Sequence, residues 1–251
     1  MADAAQPLLG KVALVAGGSR GLGRAMVLGF ADAGADVVIA SRKLDACEAL
    51  AVEVESSTGR SALAYACHVG HWDQLDRLVE AAYGRFGKVD VLVNNAGLSP
   101  VYARNVDVTE DLYDKVLDVN LKGPFRLTAL VGTRMAEGDG GSIINVSSTA
   151  AIRPSENVIP YAAAKAGVNV MTEAFAYAFG PRVRVNCIMP GPFLTDISKA
   201  WDMEAFDQQA RRFALRRGGD PGEIVGAAIY FASDASSFTT GAVLRVDGGS
   251  R

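Results

Sequence analysis

The sequence is short of histidine, cysteine and long apolar runs, and each shortage removes a class of function. Only two histidines occur among 251 residues, His68 and His71, both within Cys67-His68-Val69-Gly70-His71. A Ser-His-Asp or Cys-His hydrolase would have to draw its base from that one segment. The same segment could offer Cys67, His68 and His71 to a metal, but no carboxylate or cysteine pair at zinc-ligand spacing joins them, so no metal site is expected. The cysteines, Cys47, Cys67 and Cys187, are widely spaced and odd in number. That is no disulfide framework and suits a reducing, cytoplasmic setting. No apolar stretch approaches the ~18 residues needed to cross a bilayer. Residues 1–10 carry Asp3, with neither a basic start nor an apolar block, and read as a short loose tail rather than a signal peptide. A formal net charge of -3 without a run of Lys and Arg argues against a nucleic-acid surface. Acid–base chemistry must therefore come from groups other than histidine.

What is abundant is apolar and glycine residues: 49% hydrophobic, with 27 glycines in no collagen-like period. Short apolar, β-branched runs alternate with amphipathic stretches. Strands are expected at 11–16, 36–40, 61–66, 89–93, 141–146, 183–188 and 242–246. Helices are expected at 21–33, 44–57 and 75–86, with one long helix from 109 to about 135. Strands alternating with helices, without hairpin turns, imply about seven strands in a doubly wound parallel sheet with helices on both faces, a single-domain Rossmann fold spanning 1–251. Residues 192–219 break the rhythm and hold Trp201, Met203 and Phe206 among charges. A long insertion at the carboxyl edge of a parallel sheet is where a substrate lid would lie, the plainer alternative being a surface helix pair.

Between the first strand and first helix stands Ala16-Gly17-Gly18-Ser19-Arg20-Gly21-Leu22-Gly23. Glycines let the backbone turn sharply beside a pyrophosphate, and the helix N-terminus presents free N–H groups to it. The spacing is G-x-x-x-G-x-G, and the strand–glycine–helix context is what raises it above chance. The second strand ends in Ser41-Arg42-Lys43, where an NAD site would carry a carboxylate for the ribose hydroxyls. A ribose 2′-phosphate could instead be held by Ser41, Arg42 and Arg20, which points to NADP (NADPH). Cations at a helix start otherwise have the wrong sign.

Tyr161 and Lys165 are four residues apart, on one helix face. A phenol titrates near ~10, too high for proton transfer at neutral pH, and a neighbouring ammonium lowers it. Ser147 and Ser148 follow the strand Ile143-Ile144-Asn145-Val146, at the edge where such a sheet puts its site.

Together these features resemble the short-chain dehydrogenase/reductase family along essentially the whole chain, with 3-oxoacyl thioester reductases and sugar dehydrogenases as the nearest look-alikes. The turn at 17–23 resembles its cofactor motif, and Asn94-Asn95-Ala96-Gly97 its Asn-Asn-Ala-Gly signature. Asn120 resembles the helix asparagine that holds a proton-relay water. Ser148 lies thirteen residues before Tyr161, the family's usual separation, and is preferred to Ser147. Pro190-Gly191 with Thr195 resembles the segment touching the nicotinamide amide, and 240–249 the closing strand and turn. The resemblance implies Tyr161 as proton donor to a carbonyl oxygen and Ser148 as the group holding that oxygen. It implies that Lys165 lowers the Tyr161 pKa and bonds the nicotinamide ribose, and that Asn120 anchors the water. Gly17, Ser19, Arg20, Gly21, Leu22, Gly23, Ser41, Arg42, Val69, Asn95, Ala96, Gly97, Tyr161, Lys165, Pro190, Gly191 and Thr195 would contact the cofactor. The substrate would be a small carbonyl compound or alcohol, the assembly a homotetramer. Two positions depart from the pattern: Ala16 replaces the usual threonine, and His68 the acidic residue before the valine that lines the adenine. Two alternatives remain open, an NAD-dependent alcohol or sugar dehydrogenase and a catalytically silent NADPH-binding protein.

Overall fold

The computed structural model describes residues 6–196, 198 and 202–250. Seven parallel strands form one sheet in the order β3-β2-β1-β4-β5-β6-β7. They are β1 (Val12–Ala16), β2 (Asp36–Ser41), β3 (Ala62–Ala66), β4 (Val91–Asn94), β5 (Gly141–Val146), β6 (Val183–Pro190) and β7 (Val243–Val246). All seven predicted strands are present, with ends shifted by a residue or two.

The central strands are largely apolar because both faces of the sheet are covered there, while β7 at the edge is exposed. Period-two alternation sorts their side chains. Ala13, Val15, Val37, Ile39, Val91 and Val93 enter one core, and Leu14, Ala16, Val38, Ala40, Leu92 and Ile143 the other. Helices α1 (Gly21–Asp32), α2 (Leu44–Thr58) and α8 (Val225–Ala232) cover the first face through Met26, Phe30, Leu50, Val54 and Phe231. Helices α3 (Trp72–Phe86), α5 (Gly123–Glu137) and α6 (Ile159–Phe179) cover the second, with α4 (Glu110–Leu117) leading into α5 and α7 (Met203–Ala210) following β6.

Three expectations need correction. Residues 6–10 are no loose tail: Leu8 is wholly buried in the first core, its N–H donating to Ala33 O at 2.9 Å. Residues 1–5 lie outside the described residues. The long helix expected from 109 to 135 is two helices joined by a π-helical turn, Asp118–Lys122. Pro124 has no N–H with which to continue the ladder. A Cβ at Gly123 would stand 2.4 Å from Val69 O, so the backbone of this turn presses on the turn after β3. Finally, α8 has no counterpart in the sequence reading, because its uniformly apolar Val225–Ala232 stretch shows no contrast of faces.

Strand order reverses between β1 and β4, where β1 feeds leftward to β2 and β4 rightward to β5. The crevice at the carboxyl ends of those two strands is where an open α/β sheet binds ligands.

Candidate active site

The turn at 17–23 occupies that crevice, and sterics dictate its glycines. Gly17 has φ +80, and a Cβ there would lie 2.6 Å from the Ala96 backbone. A Cβ at Gly23 would lie 2.0 Å from Gly17 O. The turn is pinned by Gly17 N–H to Ala40 O at 2.7 Å, Ala96 N–H to Ala16 O at 2.8 Å, and the Asn95 side-chain amide to Gly17 O at 2.8 Å. With alanine at position 16, the turn is held by backbone bonds to β2 and to the segment after β4 and by the Asn95 amide. Helix α1 begins at Gly21 with no side-chain cap and no acidic residue in its first turn. Its first N–H groups remain available to an anion. Thr195 packs against Gly21, 3.4 Å from where a Cβ would sit, and Leu22 is partly buried beside it in the chain.

At the end of β2, Ser19 Oγ donates to Ser41 Oγ at 2.8 Å. Arg20 and Arg42 are exposed and make no ion pair among the described residues. Val69 is buried. The His68 ring is held by the Gly70 N–H donating to Nδ1 at 3.1 Å and meets His71 edge-to-face, centroids 4.6 Å apart. Burial, then the neighbouring His71 and Arg42, lower its pKa, favouring neutral imidazole. Among the described residues no group of three His, Cys, Asp or Glu side chains is placed to hold a metal. The three cysteines are free and buried.

The ends of β4, β5 and β6 bring the other residues to the same edge. Asn120 is fully buried, and its amide donates to Leu98 O and Val116 O, both at 2.8 Å, while accepting from Leu98 N–H. A Cβ on Gly97 would be 3.4 Å from Asn120 Oδ1 and 3.9 Å from Lys165 Nζ, so these three positions adjoin. Ser148 Oγ accepts from Ala150 N–H at 3.1 Å, and its hydroxyl is near enough to Tyr161 to lower the phenol's pKa. Ser147 is buried instead, its hydroxyl donating to Lys165 O at 3.1 Å, which leaves Ser148 as the serine presented to the site. Pro190 ends β6, and Gly191 packs on the closing turn, where a Cβ would meet Asp247 at 2.7 Å.

Lys165 lies one helical turn beyond Tyr161 and is buried. Its ammonium donates to Val146 O at 2.8 Å and lies 5.8 Å from the Tyr161 ring centroid. Burial pushes its pKa down to about 8. For Tyr161, burial raises the pKa and the nearby Ser148 hydroxyl opposes that rise.

Residues 192–219 leave and return at one point: Phe193 and Gly219 form a parallel bridge, and Leu194 N–H donates to Gly219 O at 2.8 Å. Within the segment Phe206, Ala210 and Phe213 make a small separate cluster, and Leu215 N–H donates to Gly248 O at 2.9 Å. Trp201 lies outside the described residues.

One site residue carries no sequence signal. Tyr102, in the loop after β4, lines with Tyr161 a small apolar cavity that adjoins an open one of about 410 Å³. No motif or period marks that loop.

The family described as Enoyl-(Acyl carrier protein) reductase matches residues 16–251. Human (Homo sapiens) Dehydrogenase/reductase SDR family member 4 is 37% identical over 246 residues, covering 97% of this chain and 88% of that protein. The crystal structure of a short-chain type dehydrogenase/reductase from Mycobacterium marinum superposes with a TM-score of 0.90 at 32% identity, over 98% of this chain and 97% of that one. A blue fluorescent protein from a metagenomic library, solved in complex with NADPH, gives a TM-score of 0.90 at 35% identity, over 97% and 99%.

Proposed function

Since the chain belongs to the short-chain dehydrogenase/reductase family and is thereby a dehydrogenase/reductase, we propose that it is NADPH-dependent and interconverts a carbonyl and a secondary alcohol, with Tyr161 as the general acid and base. The observation that carries this reading is the buried Lys165, its ammonium 5.8 Å from the Tyr161 ring centroid and bonded to Val146 O at the end of β5, with Ser148 two residues further on.

The glycine turn supports a dinucleotide: it is a cradle that any Cβ at Gly17 or Gly23 would fill, and it opens on uncapped N–H groups. Ser19, Ser41, Arg42 and Arg20 would hold the ribose 2′-phosphate. Asn95, Ala96 and Gly97 would shape the floor, with Pro190, Gly191 and Thr195 toward the nicotinamide. His68 would meet the adenine, and Val69 would line it. When bound, the nicotinamide supplies the hydride.

Ser148 holds the substrate oxygen where negative charge develops. Tyr161 delivers the proton to that oxygen and takes it back in the reverse direction. Burial alone makes the phenol a weak acid, so positive charge must enter beside it as the site fills. Lys165 is the group for this, while also reaching the nicotinamide ribose. Asn120 fixes the Leu98 backbone and the π-helical turn, and would keep the water path that refills Tyr161.

Residues 192–219 would act as the substrate lid over a moderately apolar carbonyl compound. We read the assembly as a homotetramer, supported by the exposed apolar residues Val170 and Tyr177 of α6 and Phe238 before β7. Free buried cysteines agree with a cytoplasmic enzyme. No described helix is long and apolar enough to cross a membrane.

The test is fluorescence titration with NADPH and NADH, then turnover of cyclohexanone, acetophenone and ethyl acetoacetate by wild type and Tyr161→Phe. Tighter NADPH binding is expected, with turnover reduced by about 1,000-fold or more in the variant. Tighter NADH binding would overturn the cofactor assignment, and an active Tyr161→Phe enzyme the role of Tyr161.

A further inference from the structure

The helix that carries Tyr161 is capped from elsewhere in the chain. α6 begins at Ile159, and Val158, the residue before it, offers no side-chain cap. Within the first turn Pro160 has no N–H to satisfy, which leaves the Ile159 N–H as the first orphan donor. That donor is taken by the phenolic oxygen of Tyr102 at 2.8 Å, a residue 57 positions upstream. The bond is paired with a second, Tyr102 N–H to Asn157 O at 3.4 Å. A serine or aspartate at position 158 would cap the helix locally. Here the loop after β4 performs that service.

The ring of Tyr102 has a second placement. It lines the small cavity that reaches Tyr161, and also the adjoining open cavity with Tyr113 and Ile159. One side chain therefore belongs both to the wall beside the proton donor and to the hydrogen bonding of the turn that aims it.

We propose that Tyr102 is a positioning residue of the reaction: its hydroxyl sets the first turn of α6, and with it the placement of Tyr161, while its ring contacts the substrate. This rests on the reading of Tyr161 as the proton-transfer group. Displacement of a reacting group by about 1 Å is enough to slow a reaction by one to two orders of magnitude. The hydroxyl should accordingly be felt in kcat and the ring in KM.

Tyr102→Phe removes one oxygen and keeps the ring. With the fastest of the three carbonyls above, kcat per NADPH-binding site is expected to fall about tenfold, with the KM values for NADPH and the carbonyl within about twofold of wild type. Tyr102→Ala should show the same loss in kcat and an added rise of about fivefold in carbonyl KM, with NADPH affinity unchanged. A Tyr102→Phe enzyme with kcat per binding site within about twofold of wild type overturns the proposal, whether or not its melting temperature falls. Failure of the underlying reading looks different: Tyr161→Phe itself would then turn over.

Discussion

The turn at 17–23 and the segment at 192–219 meet at Gly21 and Thr195, yet they are built in opposite ways. In the turn, backbone touches backbone. Gly17 lies against Ala96, Gly23 against Gly17, and β2 and the segment after β4 supply the hydrogen bonds. Little in it depends on side chains, so little in it can vary. The segment at 192–219 is tied at its neck by the Phe193–Gly219 bridge and at its rear to Gly248 and Gly249. Between those ties, among the described residues, Phe206, Ala210 and Phe213 form a cluster apart from the two main cores. A surface that must recognise one constant ligand is set by sterics; a surface that recognises a variable one is set by side chains on a loosely coupled piece.

The largest test of that contrast is Gly23→Ala. The added methyl would stand 2.0 Å from Gly17 O and 2.6 Å from the Asn95 amide, so the turn has to open. NADPH affinity should fall at least about 100-fold, roughly 2.8 kcal/mol, by fluorescence titration. A loss below about tenfold would mean that the turn is as yielding as the segment opposite. Arg42→Ala comes next. It removes charge without disturbing the turn, and should weaken NADPH about tenfold while leaving NADH unchanged. Equal losses for both nucleotides would remove Arg42 from the 2′-phosphate. Smaller again is Phe206→Ala, which loosens the satellite cluster. Carbonyl KM should rise about fivefold, with NADPH affinity and the melting temperature nearly unmoved. A matching loss of NADPH binding would show the two regions to be one structural unit.

The same contrast explains what could be read in advance. Strand and helix periodicity is a local record of a sheet covered on both faces, and Ala13 and Val15 against Leu14 and Ala16 display it directly. The glycine turn was legible because the geometry at Gly17 and Gly23 excludes other residues. Features made by contact between distant segments were not. The π-helical turn at Asp118–Lys122 interrupts a stretch whose apolar pattern runs on unbroken, and what forces it involves Pro124 and the close approach of Gly123 to Val69. Leu8 looked like a tail residue because its partners lie at the far end of α1. Tyr102 caps a helix 57 residues away, a relation no window along the chain contains. Even the Tyr161–Lys165 spacing conveyed proximity without direction, since the ammonium turns to Val146 O.

Lys165, on α6 beside Gly97 and the end of β5, gives the smallest effect on stability. Its folded-state pKa, about 8, lies below the ordinary 10.5. Between those values the unfolded chain holds a proton that the folded chain has released, so this group's contribution to stability improves as pH rises through that window. Below about 8 the folded chain bears the whole cost of a buried ammonium, offset in part by its bond to Val146 O. Lys165→Met removes the cost and leaves that carbonyl with one bond fewer. The variant should therefore be more stable than wild type at neutral pH by about 1 kcal/mol, or roughly 2–4 °C in Tm. The advantage should shrink as pH is raised toward 10, and turnover should be lost throughout. A Lys165→Met protein less stable than wild type at neutral pH would reverse the argument: the ammonium would then be part of what holds the sheet edge together, rather than a strained charge kept there for the reaction.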